Sequence, residues 1–186
     1  NDLKLEFKKI HELFLSSKFD MVIKKTKKII KSNPNQIPFY NLLGLSYRGE
    51  KKFKLAEEIL SKALKIKPND ISILNNLGST YRVLGEYPKS EKILNKALTI
   101  NETEVSTLCN YANLKRDINN FEESIKYYEK AYKINNKIPT LVINLAGTYQ
   151  IVGKFELSKN ILEKFKEDNP YNAIAHKLLN TVIKYK

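Results

Sequence analysis

The stretch YNLLGLSYRGEKKFKLAEEILSKALKIKP, residues 40–68, decides the fold. Tyr40, Leu43, Gly44 and Tyr47 fall at i, i+3, i+4 and i+7, which is one face of a helix. A short turn at Gly49 follows, and Phe53 then opens a second amphipathic segment with Phe53, Ala56, Leu60 and Ala63 on its inner side. Gly44 and Ala63 are small, so the sequence predicts that they let two helices of one pair approach closely. The aromatic residues then fill the gap to the next pair. Pro68 cannot continue a helix and closes the unit.

The same residues return every 34 positions. Leu43-Gly44 recurs as Leu77-Gly78, Tyr111-Ala112 and Leu145-Ala146. Phe19, Phe53, Tyr87, Phe121 and Phe155 form an aromatic series in the same phase, and Ala63, Ala97 and Ala131 form a small one. Tyr47, Tyr81 and Tyr149 form a further series, broken by Lys115, while Pro34, Pro68 and Pro170 mark unit ends. Five units follow, 3–36, 37–70, 71–104, 105–138 and 139–172, with one further helix expected at 173–184 over the last apolar face. The first unit is degenerate (Lys9-Ile10 replaces Leu-Gly), and the fourth has Asn136 where a closing proline would stand. Each unit cannot bury its apolar face alone, so stacking is the expected solution. The expectation is an all-α fold: a right-handed α-solenoid of five helix–turn–helix units and a capping helix. It forms one array over 1–186, with first helices lining a concave groove.

These small, large and proline positions resemble the tetratricopeptide repeat, over essentially the whole chain. The resemblance implies a scaffold for protein–protein interaction rather than an enzyme. One sub-type can be tested: repeats that grip chaperone C-termini carry Lys and Asn one turn apart in the groove. The pairs at that spacing here are Phe7/His11, Asn41/Leu45, Asn75/Ser79, Cys109/Asn113 and Ile143/Gly147, and none fits. The last segment, NAIAHKLLNTVIKYK, resembles the end of the repeat region in bacterial proteins that join such repeats to a sulfotransferase domain. Even so, this chain carries no phosphate-binding loop for a sulfate donor, so the resemblance implies a substrate- or partner-recruiting module.

Composition narrows the rest. The net charge is +13, but the excess lies at the ends: residues 3–36 carry nine lysines against three acids, while 71–104 and 139–172 are balanced. Such a distribution is no continuous nucleic-acid stripe. Nucleic-acid binding through Lys-rich faces and an architectural or self-associating role stand as alternatives. The KKTKKIIK run at 24–31 reads as a solvated outer face. Lysine, asparagine and isoleucine usage fits an A+T-rich genome. No apolar run is long enough to span a membrane, and a charged start without a signal core reads as cytoplasmic. Residue 1 is not Met, which reads as a trimmed or excised fragment. A lone Cys109 cannot form an internal disulfide or complete a structural zinc site. His11 and His176 lack ligand-spaced partners, so neither a metal nor a cofactor is expected. No nucleophile–base pair appears.

Function therefore rests on the groove. About 100° round from the core face, the first helices present Asn41, Leu45 and Arg48, then Asn75, Ser79 and Arg82 with Asn76. Next come Cys109, Asn113 and Arg116 with Asn110, then Ile143, Gly147 and Gln150 with Asn144. The chain has 33 basic residues, and its only arginines, Arg48, Arg82 and Arg116, stand 34 apart. A guanidinium offers a planar fork for carboxylate or phosphate, where lysine is a point charge. Gln150 would continue this ladder in uncharged form. The alternative is that the arginines pack on adjacent tyrosines or pair with local acids such as Asp117. Asn76, Asn110 and Asn144 form a second ladder, similar to that of protein O-GlcNAc transferases. A carboxamide both donates and accepts, so such a row holds a peptide backbone without reading its sequence. The alternative is that these asparagines bridge neighbouring helices. Cys109 reads as a neutral filler rather than a reactive thiol. The leading function is a groove for an extended, acidic peptide or protein segment.

Overall fold

The computed structural model describes residues 2–184; Asn1 and the closing Tyr185-Lys186 of the sulfotransferase-like segment lie outside them. The described residues form eleven helices: α1 (Asp2–Leu15), α2 (Phe19–Ser32), α3 (Ile37–Gly49), α4 (Phe53–Ile66), α5 (Ile71–Val83), α6 (Tyr87–Ile100), α7 (Val105–Asp117), α8 (Phe121–Ile134), α9 (Pro139–Ile151), α10 (Phe155–Asp168) and α11 (Ala173–Lys184). Every second helix opens on its predicted aromatic. First helices start at 37, 71, 105 and 139, and α11 starts one period later at 173. The result is an all-α helical repeat. Its contacts divide into two compact units, residues 1–100 and 101–186.

Local chemistry sets the boundaries. Asp70, Asn120 and Asn172 accept from the backbone N–H three residues on, at 3.1, 3.3 and 3.0 Å, satisfying donors that the first turn leaves open. Pro38 and Pro139 sit in first turns, where no N–H is missed. Between the helices of each pair the chain reverses through one left-handed residue: Ser17, Lys51, Gly85, Asn119 and Gly153, with φ of 56° to 75°. This corrects the turn expected at Gly49, which is the last residue of α3. A Cβ there would lie 2.6 Å from the Phe19 ring, so Gly49 is small to admit that aromatic. Lys51 bears the left-handed strain that glycine avoids. Lys51→Gly is expected to raise stability by about 0.5–1 kcal/mol in urea unfolding, with a smaller gain at Asn119, since asparagine tolerates this conformation.

In the first unit, Leu43, Tyr47 and Ala56 pack within one pair, and Tyr40, Leu60, Ala63, Ile73 and Leu77 join it to the next. Gly44 therefore faces Leu60, and Ala63 serves the contact between pairs, a different division of labour from the predicted one. A Cβ on Gly44 would stand 2.7 Å from Leu60, and one on Gly78 2.6 Å from Leu94. In the second unit Val142, Ala146, Leu162 and Phe165 receive Ala175 and Leu179 of α11, which caps the pair α9–α10.

Candidate functional site

Lys115 explains the break in the tyrosine series. It is buried, its Nζ lies 2.9 Å from Glu123 and 5.0 Å from the Tyr111 ring centre, so an ion pair fills the tyrosine's place. Other lysines cover the tyrosines beside the first two arginines: Lys27 over Tyr47 at 5.6 Å and Lys89 over Tyr81 at 5.4 Å.

Within the first unit α3 and α5 lie side by side, and their facing residues meet. Arg48 Nη2 donates to Ser79 Oγ at 2.8 Å. Asn41 donates to Ser72 Oγ at 3.0 Å and accepts from Asn76 Nδ2 at 2.6 Å. Arg48 is largely withdrawn from solvent, and burial, with the neighbouring Arg82 charge, holds its guanidinium below the usual arginine range. Among the described residues no carboxylate lies within ion-pair distance of it. A buried cation answered only by a hydroxyl and a second cation is costly. Arg82 and the nearly buried Asn75 are each engaged by further groups.

In the second unit, Asn113 Oδ1 accepts from Tyr128 Oη and, at 3.2 Å, from Asn144 Nδ2. Asn76 and Asn144 therefore each bridge neighbouring first helices through the NH2 group, as the alternative reading of the ladder required. Asn110 is engaged as well. A cleft of about 240 Å³ between α7 and α9 has Cys109, Asn110, Asn113 and Asn144 on its polar side and Val105, Ile138 and Leu141 on its apolar side. Burial pushes the Cys109 thiol up to about 11, so at pH 8 it is overwhelmingly the neutral, unreactive form. Maleimide or iodoacetamide is expected to modify it far more slowly in the native chain than in urea. Arg116, in the last turn of α7, is half-buried and makes no side-chain hydrogen bond or ion pair with another described residue.

Gln150 behaves differently from the expectation. Its amide donates to Ser158 Oγ and to the Leu178 carbonyl, both at 3.0 Å, so it ties α9 to α10 and α11. Without a charge to solvate, the side chain turns inward to unsatisfied acceptors. Sequence reading also missed a serine series in the second helices: Ser90 and Ser124 donate to the Gly78 and Ala112 carbonyls at 2.8 and 2.9 Å. Their 34-residue spacing was the available signal. Phe7 and Phe14 share the groove phase of Asn41 and Arg48, and of the two only Phe7 enters the sequence reading, as part of an absent clamp. Phe7 stacks with His11 and meets Phe39 edge-on at 5.4 Å, and Phe14 lies 5.6 Å from Phe19. His176 Nε2 lies 2.7 Å from the Pro170 carbonyl. No cluster of metal-ligating side chains occurs among the described residues, and no helix there is long and apolar enough to cross a membrane.

Paired helices repeated in one phase, with first helices exposing a polar face, define the class of helical-repeat scaffolds. Tetratricopeptide repeat family models match residues 37–70 and 69–137, and the chain is a tetratricopeptide repeat protein. Its fold is similar to that of pilF of Pseudomonas aeruginosa (TM-score 0.84, 17% identity, 98% of this chain and 83% of that one). A tetratricopeptide protein of Thermus thermophilus, TTC0263, gives a TM-score of 0.84 at 13% identity over 97% and 98% of the two chains. YrrB, a tetratricopeptide protein with an unusual peptide-binding site, gives 0.65 at 15% over 90% and 87%. At these identities the likeness concerns the fold. No curated protein matches the sequence significantly. Proteins with this fold are generally interaction scaffolds that bind protein or peptide partners.

Proposed function

We propose that this chain binds an extended acidic segment of a partner protein along the exposed faces of its first helices. The observation that carries the reading is Arg48: a largely buried guanidinium beside Arg82, held by Ser79 and by no carboxylate. Fold maintenance gives no reason to keep a cation there, whereas a carboxylate from a ligand would receive charge-assisted, two-point hydrogen bonds. Arg116 would serve the second unit in the same way. Asn76 and Asn144 offer carbonyl oxygens and Asn113 its NH2 group, so the backbone of a bound segment finds both kinds of partner. In a longer protein the same faces would recruit a substrate for a linked catalytic domain.

The test is calorimetry of the full chain against an array of glutamate- and aspartate-rich peptides and their Gln/Asn counterparts. Acidic peptides should bind, and the triple variant Arg48→Gln, Arg82→Gln, Arg116→Gln should lose most of that affinity. Equal binding of acidic and neutral peptides, or an unchanged triple variant, overturns the reading.

A further inference from the structure

Leu5, Lys8, Glu12 and Leu15 of α1 stand at i, i+3, i+7 and i+10, a single stripe on the side of the helix opposite the buried Ile10. One repeat length on, the same stripe of α3 carries Phe39, Leu42, Ser46 and Gly49. There it is an interface. Phe39 and Leu42 join Ile10 and Val22 in a buried cluster, Ser46 is buried, and Gly49 admits the Phe19 ring. This stripe of α3 thus docks on the pair before it. In α1 all four residues are exposed, Leu5 at 53% and Leu15 at 69%. Leucines at the two ends with opposite charges between them match neither the apolar stripe of α3 nor the polar face that caps a repeat array.

The order of these residues names the occupant. The stripe is self-complementary about Ile10: Leu5 and Leu15 lie equally far on either side of it, and so do Lys8 and Glu12. Two copies of α1 laid antiparallel across a two-fold axis set Leu5 against Leu15 and Lys8 against Glu12, each twice. Laid parallel, they set Lys8 against Lys8 and Glu12 against Glu12. We infer that this stripe is the interface of a weak two-fold dimer of the chain, formed by antiparallel packing of α1 on its counterpart. Such a face is isologous, so it closes on two copies. The leucines supply the attraction, and the charge pairs, being exposed, set direction and register more than strength. Each helix has 14 residues and is about 21 Å long, so the area buried is small and the complex transient. A net charge of +13 on each copy opposes association further. None of the four residues lies in the groove phase, so this dimer does not depend on the role of Arg48.

The test is sedimentation equilibrium of the full chain up to about 1 mM, where a reversible monomer–dimer equilibrium with a Kd of about 10–500 μM is expected. The double variant Leu5→Gln, Leu15→Gln should weaken it about tenfold or more. Glu12→Lys and Lys8→Glu each set like charges opposite one another across the axis, and each should weaken self-association about fivefold or more. Mixed in equal amounts, these two variants should form a heterodimer of native affinity, because one stripe is then basic and the other acidic. A folding defect in either variant could not produce that recovery, and all four positions are exposed. A native chain that stays monomeric at about 1 mM overturns the inference and leaves the stripe to a different partner. Open-ended assembly, or a dimer that the leucine and charge variants leave unchanged, overturns it as well. A mixture that associates no more tightly than its components overturns the antiparallel register.

Discussion

Gly78→Ala is expected to destabilise the protein by about 1–3 kcal/mol, and the double variant with Gly44→Ala by more than either alone. Alanine is intrinsically the better helix former by roughly 1 kcal/mol, so a helix considered in isolation predicts the opposite sign. Packing decides against it. The new methyl at 78 would lie 2.6 Å from Leu94 Cγ, the branch carbon of a fully buried side chain, and the one at 44 would lie 2.8 Å from Leu60 Cγ. Neither leucine can swing aside within a close-packed interior. Gly147 supplies the control on the same helical background: nothing stands within 4 Å of its Cβ position. Gly147→Ala should therefore stabilise by about 0.5–1 kcal/mol. Urea unfolding of the variants checks all of these, and a stabilised Gly78→Ala would show that the helices of a pair can part cheaply.

Arg48→Gln is expected to move stability and binding in opposite directions. Desolvation disfavours the charged guanidinium, and Arg82 adds like-charge repulsion. Its folded pKa is lowered, so the fold carries the cost of the cation at every pH below that value, which includes the whole neutral range. A neutral glutamine still donates toward Ser79 and removes the cost. The unliganded protein should gain about 1 kcal/mol in urea unfolding. Affinity for an acidic peptide should fall by about 1–3 kcal/mol, the worth of hydrogen bonds to a charged group. A residue kept against stability is the signature of a binding site. A variant that loses stability and keeps its affinity would mark Arg48 as structural.

The sequence by itself determined the repeat. The 34-residue phase of Leu-Gly, aromatic and alanine positions set every helix pair, because helical period and steric size are local properties of a short stretch. The aromatics at 19, 53, 87, 121 and 155 each open a helix. The same phase grouped side chains that meet between α3 and α5, Arg48 with Ser79 and Asn76 with Asn41. Tertiary structure alone decided how those side chains are used. Gln150 turns inward to Ser158 and Leu178, Asn113 is claimed by Tyr128 and Asn144, and Gly49 yields its space to Phe19. Which polar group faces solvent and which satisfies a neighbour depends on residues 8 to 31 positions away in these cases. A periodic pattern is blind to such contacts, because it records what recurs and not what each repeat must compensate.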